Sequence, residues 1–261
     1  MTVQIIAEPG STACGRLDTM HRLIELAAES GATAIKPQFT SSPEQMVQRR
    51  RASVYLDAYR LIAYPFEWHY ELAADAHERG LQYIVSIYLE RDVEPVARIA
   101  DALKCASFES RDTRFLGLLA ATRKPVYVST GMQTLAEAMT AAAYATTLFH
   151  CTSAYVAPLD SLNLRAIRTL QAKVGVPVGY SDHSANVLTG ALAVAAGAEA
   201  LEVHVRLDDC DPANADYAVS LSPARLADYI HFVRVAERAM GDGIKQPQPA
   251  EAAMRRYQVR T

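Results

Sequence analysis

Disulfides and cysteine-built metal sites are the first things this chain does not offer. Its four cysteines, Cys14, Cys105, Cys151 and Cys210, are scattered, with no Cys-x-x-Cys spacing among them. They read as reduced thiols, and the expected compartment is the cytoplasm. Long apolar runs are also missing. None approaches the ~20 residues of a membrane span, so no membrane partner is expected. The opening Met1-Thr2-Val3-Gln4 leads straight into a strand-like run without a signal-peptide pattern. Neither sign of charge dominates. The 26 Lys and Arg face 29 Asp and Glu for a net charge of −3, which argues against a nucleic-acid surface. Local basic residues remain free to hold a small anion. No linker or low-complexity tract divides the chain, so one domain is expected over 1–245. A C-terminal extension over 246–261 follows, opening on Gln246-Pro247-Gln248-Pro249.

What is present is a strand–helix rhythm. Strand-like runs occupy Gln4–Ala7, Thr33–Lys36, Tyr83–Ile87, Leu103–Ala106, Val126–Ser129, Thr147–His150, Val178–Tyr180 and Ala200–Val205. Most are continuously apolar or β-branched, as parallel strands covered by helices are. Helical patterns follow at Asp18–Ser30, Glu67–Arg79, Val93–Asp101, Thr113–Ala121, Thr134–Ala145, Asn163–Val174, Val187–Ala196 and Pro223–Met240. Gly31, Gly80 and Gly197 stand at helix ends, and Thr134, Asp160 or Ser161, and Ser222 fit helix N-caps. Eight such pairs in 261 residues predict a single-domain α/β fold, the (β/α)8 TIM barrel, over the runner-up, an open doubly wound sheet. Phe39–Tyr64 breaks the rhythm with the basic run Arg49-Arg50-Arg51. It reads as a loop plus a short helix over the barrel mouth, or as a solvated insertion.

In a β/α barrel, chemistry sits at the C-terminal ends of the strands. Here those ends carry Glu8, Lys36, Gln38, Ser86, Lys104, Ser107, Glu109, Ser129, Thr130, His150, Thr152, Ser153, Tyr155, Ser181, Asp182, His183, Glu202, His204 and Arg206. So many ionisable groups are costly to bury unless they share a charged ligand. His183 and His204 close neighbouring strands, and two neutral imidazoles there make half a shell for a divalent metal. Lys36 and Lys104 suit an anion, and Ser107, Ser129 and Ser181 suit phosphate oxygens. Glu8, Glu109 and Asp216 are acid, base or hydroxyl-binding candidates. The bland alternatives are core histidines, structural salt bridges such as Lys104 with Glu109 or Glu8, and serine caps. His21, His69, His77 and His231 fall on helices and read as surface or packing residues, as does the single Trp68.

The strand ends resemble, in order, those of the sialic acid synthase family. Ile6-Ala7-Glu8-Pro9-Gly10 resembles its IAEIG, and Lys36-Pro37-Gln38 its KFQ. Lys104-Cys105-Ala106-Ser107-Phe108-Glu109 resembles KIASFE, and Ser129-Thr130-Gly131-Met132 matches STGM. His150 to Tyr155 resembles HCTSxYP, Gly179-Tyr180-Ser181-Asp182-His183 matches GYSDH, and Leu201-Glu202-Val203-His204 resembles IEKHF. Asp216 with Ser220-Leu221 resembles the D…SL element that follows. The resemblance implies a β/α barrel that condenses phosphoenolpyruvate with an aldose or other aldehyde to give a 2-keto-3-deoxy sugar acid. It implies a divalent metal, manganese first and magnesium or cobalt as substitutes, held by His183 and His204. By the same resemblance Lys104, Ser107, Ser129 and Ser181 hold the phosphate, and Lys36 faces the carboxylate. Glu109 manages a proton near the attacking water. Glu8, Gln38, Tyr155 and Asp216 touch the sugar or the metal's water, and Asp182 joins the substrate-binding set. A homodimer is the family expectation.

Departures concentrate on the acceptor side. The family's NHNG after the first strand is Thr12-Ala13-Cys14-Gly15, and its STPF is Ser86-Ile87-Tyr88-Leu89. Val203 and Arg206 replace a lysine and a threonine around the second histidine. The resemblance covers the barrel and not the family's small antifreeze-like domain. Either another chain supplies that domain or the acceptor differs. A non-standard aldehyde, in secondary metabolism or surface-sugar synthesis, is therefore expected. The rival readings are another metal-dependent barrel aldolase, lyase or isomerase acting on a sugar, and a non-catalytic sugar-binding barrel.

Overall fold

A computed structural model describes residues 2–259. Its strands are β1 (Gln4–Glu8), β2 (Ala34–Ile35), β3 (Gln38–Phe39), β4 (Gln82–Ile87), β5 (Ala102–Cys105), β6 (Val126–Ser129), β7 (Thr147–Cys151), β8 (Val178–Asp182) and β9 (Ala200–His204). The helices are α1 (Leu17–Glu29), α2 (Pro43–Arg50), α3 (Leu56–Arg60), α4 (Trp68–Glu78), α5 (Glu90–Ala97), α6 (Thr113–Ala121), α7 (Leu135–Ala142), α8 (Ala166–Val174), α9 (Thr189–Ala195), α10 (Pro223–Met240) and α11 (Ala252–Arg255). All strand pairs are parallel. β1 pairs with both β2 and β9, and β2 pairs onward with β4, which closes the sheet into a barrel. β2 and β3 are two halves of one barrel strand. They part at Lys36-Pro37, where the proline has no N–H to give to a ladder. The expected (β/α)8 barrel is what forms.

Several local signals end elements as expected, but Asp160 and Ser161 lie in a 3-10 turn and cap no helix, and Ser222 precedes α10 without a side-chain cap bond. Thr134 caps α7 in a full capping box with Glu137. Gly31, Gly80 and Gly197 take φ of 85°, 77° and 108°, the left-handed turn that stops a helix. Two segments differ from expectation. Phe39–Tyr64 holds two short helices, not one, and it has a core of its own. Met46, Tyr59, Ile62, Tyr88 and Leu89 are buried together there, so the segment is packed and not merely solvated. The tail, expected to be extended, carries a 3-10 turn at Pro249–Glu251 and then α11. Among the described residues no helix is long and apolar enough to cross a membrane.

The inside of the barrel has two layers, because side chains alternate along a strand. Ile6, Ala34, Ile84, Ala102, Tyr127, Phe149 and Ala200 form a buried lower plug. Two residues further along the same strands stand Glu8, Lys36, Ser86, Lys104, Ser129, Cys151 and Glu202, all buried. The outward positions of these strands, such as Ile5, Ala7, Ile35, Val85, Leu103, Val128, Leu201 and Val203, pack under the helices. One step of the strand period thus separates an apolar floor from a charged layer.

Candidate active site

The charged layer is a closed network. Lys36 Nζ lies 2.6 Å from Glu8 Oε1 and donates to Ser86 Oγ at 2.8 Å. Lys104 Nζ donates to Ser129 Oγ at 2.6 Å and to Glu202 Oε1 at 3.1 Å. Glu202 also accepts from Ser181 Oγ at 2.8 Å, and its second oxygen lies 3.6 Å from Lys36. Gln38 Nε2 donates to Glu8 at 2.7 Å. Burial by itself would raise both carboxyl pKa values. The lysines outweigh it, Lys36 first for Glu8 and Lys104 first for Glu202, and hold both acids below their ordinary range. Burial likewise works against the Lys104 ammonium, but Glu202 and Glu8 raise its pKa. The sequence reading expected Lys104 to pair, if at all, with Glu109 or Glu8. Its partner is Glu202, on the strand that ends in His204.

Above this layer sit the imidazoles, with ring centroids 5.7 Å apart. His183 Nδ1 lies 2.8 Å from the Thr152 carbonyl, so that nitrogen carries the proton and Nε2 keeps its lone pair. Burial, then the neighbouring His204, lowers the His183 pKa and favours the neutral ring. His204 Nδ1 is buried without a partner, and its Nε2 lies 3.6 Å from Glu8 Oε2. The Tyr155 ring, half-exposed, covers His183 at 4.4 Å. Among the described residues no group of three or more His, Cys, Asp or Glu surrounds a single ion position. The chain's own donors are two imidazoles, one of them with an orphaned nitrogen. That set fits a catalytic ion whose remaining positions are left to water and substrate.

Beside Lys104 is a small polar cradle. Ser107 Oγ accepts from the Gly131 N–H at 3.1 Å and meets Cys151 Sγ at 3.2 Å. Ser153 Oγ is buried with no partner. A Cβ on Gly131 would lie 2.1 Å from Ser153 Oγ and 2.9 Å from Ser107 Oγ, so only glycine leaves the cradle open. Opposite it, Gly10, at φ 54°, brings the chain against the second histidine. A Cβ there would lie 2.6 Å from Asp216 Oδ2 and 3.1 Å from His204 Nδ1. Asp216 accepts from the N–H and hydroxyl of Ser11, both at 2.7 Å, and so ties the loop after β9 to the turn after β1.

Two named residues stand outside the lysine network. Glu109 is buried in the turn after β5, and neither lysine is among its bonded partners. It pairs with Arg50 at 2.6 Å, and burial raises its pKa against the pull of that guanidinium. Asp182 departs from the expected substrate-binding role. One of its oxygens takes Ser184 N and Oγ, and the other takes Thr189 Oγ1 and Tyr229 OH at 3.2 Å. Both are thus engaged in holding the turn into α9 against α10. Glu202, Ser153 and Arg50 also stand at the site, although the sequence reading gave none of them a role. For Glu202 the signal was available, an acid two residues before His204 on an inward-facing strand position. His21, His69 and His77 fit the surface or packing roles expected of them, His21 and His77 lying against carboxylates and His69 against Tyr83, while His150 lies against the Leu162 carbonyl.

Comparison with known proteins gives a consistent answer. The NeuB family profile matches residues 23–245. The chain is 33% identical to pseudaminic acid synthase of Campylobacter jejuni, over 92% of this chain and 76% of that protein. It is 30% identical to N-acetylneuraminate-9-phosphate synthase of Homo sapiens, over 95% of this chain and 74% of that protein. The crystal structure of an N-acetylneuraminic acid (sialic acid) synthetase from Leptospira borgpetersenii, in complex with citrate, superposes with a TM-score of 0.90 at 28% identity. It covers 98% of this chain and 91% of that one.

Proposed function

Because the chain belongs to the NeuB family, we propose that it condenses phosphoenolpyruvate with an aldose or related aldehyde to give a 2-keto-3-deoxy sugar acid. Carbon 3 of phosphoenolpyruvate bonds to the aldehyde carbon. Water adds to the resulting cation at carbon 2, and phosphate leaves by carbon–oxygen cleavage, taking up the remaining hydroxyl proton as the keto group forms. The observation that carries this reading is the buried layer in which Lys36, Lys104, Glu8 and Glu202 cancel one another beneath two imidazoles. A small polyanion entering this layer finds ammonium groups already desolvated, with serine hydroxyls as donors.

Lys104, Ser129 and Ser181, with the cradle of Ser107 and the Gly131 N–H, would hold the phosphate, and Lys36 would face the carboxylate. These cations sit where negative charge develops, and they need no reorganisation to stabilise it. Glu109 takes a proton from the attacking water. It returns that proton to the oxygen of the former aldehyde, so the carboxyl ends as it began. Glu8, Gln38, Tyr155 and Asp216 line the acceptor side. His183 and His204 would hold a divalent ion, manganese in preference to magnesium or cobalt, which when bound supplies Lewis-acid polarisation of the aldehyde.

The acceptor is proposed to be a non-standard aldehyde, because the turn after β1 presents Thr12-Ala13-Cys14-Gly15. The test is phosphate release from phosphoenolpyruvate and Mn2+ with a panel of aldoses, 2-acetamido aldoses and their phosphates. Release with at least one acceptor is expected. No release with any, together with no heat of phosphoenolpyruvate binding, would overturn the assignment. Metal binding without phosphoenolpyruvate binding would favour an aldolase or isomerase.

A further inference from the structure

Arg50 is the feature of the mouth that the proposed chemistry has not yet used. It is the last residue of α2, and its side chain is 16% exposed. The guanidinium lies 4.3 Å from the Phe108 ring centroid and 5.5 Å from those of Tyr59 and Tyr88. Three aromatic faces fix its plane. Within that box it donates to Tyr59 OH at 3.1 Å and to Glu109 Oε1 at 2.6 Å. The helix that carries it is itself pinned. Ser42 caps its start, and Arg49 donates to the Tyr88 carbonyl at 2.8 Å and to Asp112 at 3.0 Å. On the other side, Glu109 N donates to the Ala106 carbonyl at 3.1 Å, and Asp112 N donates to the Glu109 carbonyl at 2.9 Å. The backbone of Glu109 is thus held by its own turn, and the end of its side chain by Arg50.

The two oxygens of Glu109 are not equivalent. Oε1 takes the guanidinium, while Oε2 is buried with no partner. A buried carboxylate oxygen without a donor is unfavourable in the empty protein, and it calls for a proton or a ligand hydroxyl. Building on the reading of Glu109 above, we infer that Arg50 is the positioning residue for this carboxylate. It occupies Oε1 and turns Oε2 into the oxygen that takes the proton from water. The charged and titratable groups facing Glu109 are Arg50 and Arg49 from α2, Tyr59 from α3, Tyr88 after β4 and Cys105 of β5. Arg50 is the cation bonded directly to it. Lysine cannot copy the arrangement, since an ammonium neither lies flat between rings nor holds a carboxylate oxygen in a fixed plane.

The test uses the full chain with Arg50→Met, Arg50→Lys, Glu109→Gln and the double variant Arg50→Met/Glu109→Gln, each checked for folding by thermal melt. The Glu109 carboxyl is followed by carbon-13 NMR against pH in glutamate-labelled protein and assigned by its loss in Glu109→Gln. Loss of the cation should move its titration to higher pH in Arg50→Met. With the acceptor that supports phosphate release, kcat should fall ~100-fold, as expected for a displaced proton acceptor. KM for phosphoenolpyruvate should move by less than about 3-fold, since Arg50 touches neither lysine. The acid limb of the kcat profile should shift to higher pH, and Arg50→Lys should not restore kcat. In the Glu109→Gln background, Arg50→Met should add nothing. An unmoved Glu109 titration, an unchanged kcat, or full additivity in the double variant would overturn the inference. If no acceptor supports phosphate release by the wild type and phosphoenolpyruvate does not bind, the proposed function fails, while the NMR titration still decides the Arg50–Glu109 coupling.

Discussion

Glu202→Gln takes one negative charge out of the barrel and leaves the shape of the side chain in place. In the empty protein, two ammonium groups and two carboxylates share this space. Glu202 is the carboxylate within ion-pair distance of both lysines, at 3.1 Å from Lys104 and 3.6 Å from Lys36. At an effective dielectric of 20, each of these pairs has a bare attraction of about 5 kcal/mol. Much of that is offset by the desolvation Glu202 itself undergoes on burial, so the whole sum is not lost. Removing one partner of a buried pair costs roughly 3–5 kcal/mol, because the other charge stays buried without compensation. The Ser181 hydroxyl can still donate to the amide oxygen, so the hydrogen bond is not part of the loss.

For a chain of this size, each kcal/mol moves the unfolding midpoint by roughly 2–4 °C, so the variant should melt about 10 °C below the wild type. Phosphoenolpyruvate brings the missing negative charge with it. Saturating amounts should therefore raise the midpoint of Glu202→Gln more than that of the wild type, and narrow the gap. Scanning calorimetry with and without phosphoenolpyruvate, in metal-free buffer, reads both effects. A midpoint within ~1 °C of the wild type would refute the claim that these charges cancel one another across the barrel. A gap that widens on adding phosphoenolpyruvate would refute the claim that the lysines receive it.

Gly131→Ala should fill the cradle, since its Cβ would meet Ser153 Oγ at 2.1 Å and Ser107 Oγ at 2.9 Å. Calorimetry should show phosphoenolpyruvate affinity down at least ~10-fold, with a stability loss of about 1–3 kcal/mol from overpacking. His183→Ala should remove half of the chain's own donors for a divalent ion, and Mn2+ binding read by electron paramagnetic resonance should weaken by at least ~100-fold. Burial holds the His69 pKa down at about 4 from 6.5, with Nε2 unpartnered and Nδ1 against Tyr83 OH. The folded state therefore keeps this ring neutral, while the unfolded chain protonates it. Its contribution is fully present above pH 6.5 and is lost as pH falls toward 4, by about 3 kcal/mol. Denaturant unfolding across that window should be steeper in pH for the wild type than for His69→Phe; equal slopes would count against the burial argument.

The strand ends were legible because the barrel obliges them to be. Once eight apolar runs are recognised, every second residue must face inward, and Lys36, Lys104, His183 and His204 fall on inward positions without any knowledge of distance. The pairing of those groups was not legible. Whether Lys104 meets Glu8, Glu109 or Glu202 depends on barrel tilt, which sets β1 against β9 with Glu8 beside His204 and Ile6 beside Glu202. Asp182 misled for a similar reason. It closes a strand like the others, yet Thr189 and Tyr229, respectively seven and 47 residues further on, claim its oxygens. Arg50 lay hidden in a basic run that reads as solvated. Its burial comes from Tyr59, Tyr88 and Phe108, which converge on it from three separate segments.

This division of legibility follows the division of labour in the site. The half proposed to hold phosphoenolpyruvate stands largely on strand positions one period above the apolar plug. Its geometry is set by hydrogen-bonded ladders, and substitutions there disturb a balanced set of buried charges. The half proposed to take the acceptor reaches beyond Glu8 and Gln38 into turns: Gly10 to Gly15, Tyr155 and the loop carrying Asp216. Tyr155 is half-exposed, and Asp216 is held by Ser11 rather than by the barrel. Turns can change residue without unbalancing the charged layer. The replacement of a family asparagine–histidine–asparagine turn by Thr12-Ala13-Cys14 is therefore compatible with an intact network of Lys36, Lys104, Glu8 and Glu202. Changes of acceptor should accordingly be reached through these turns, whereas changes at Lys36, Lys104, Glu8 or Glu202 should reduce turnover with every acceptor alike.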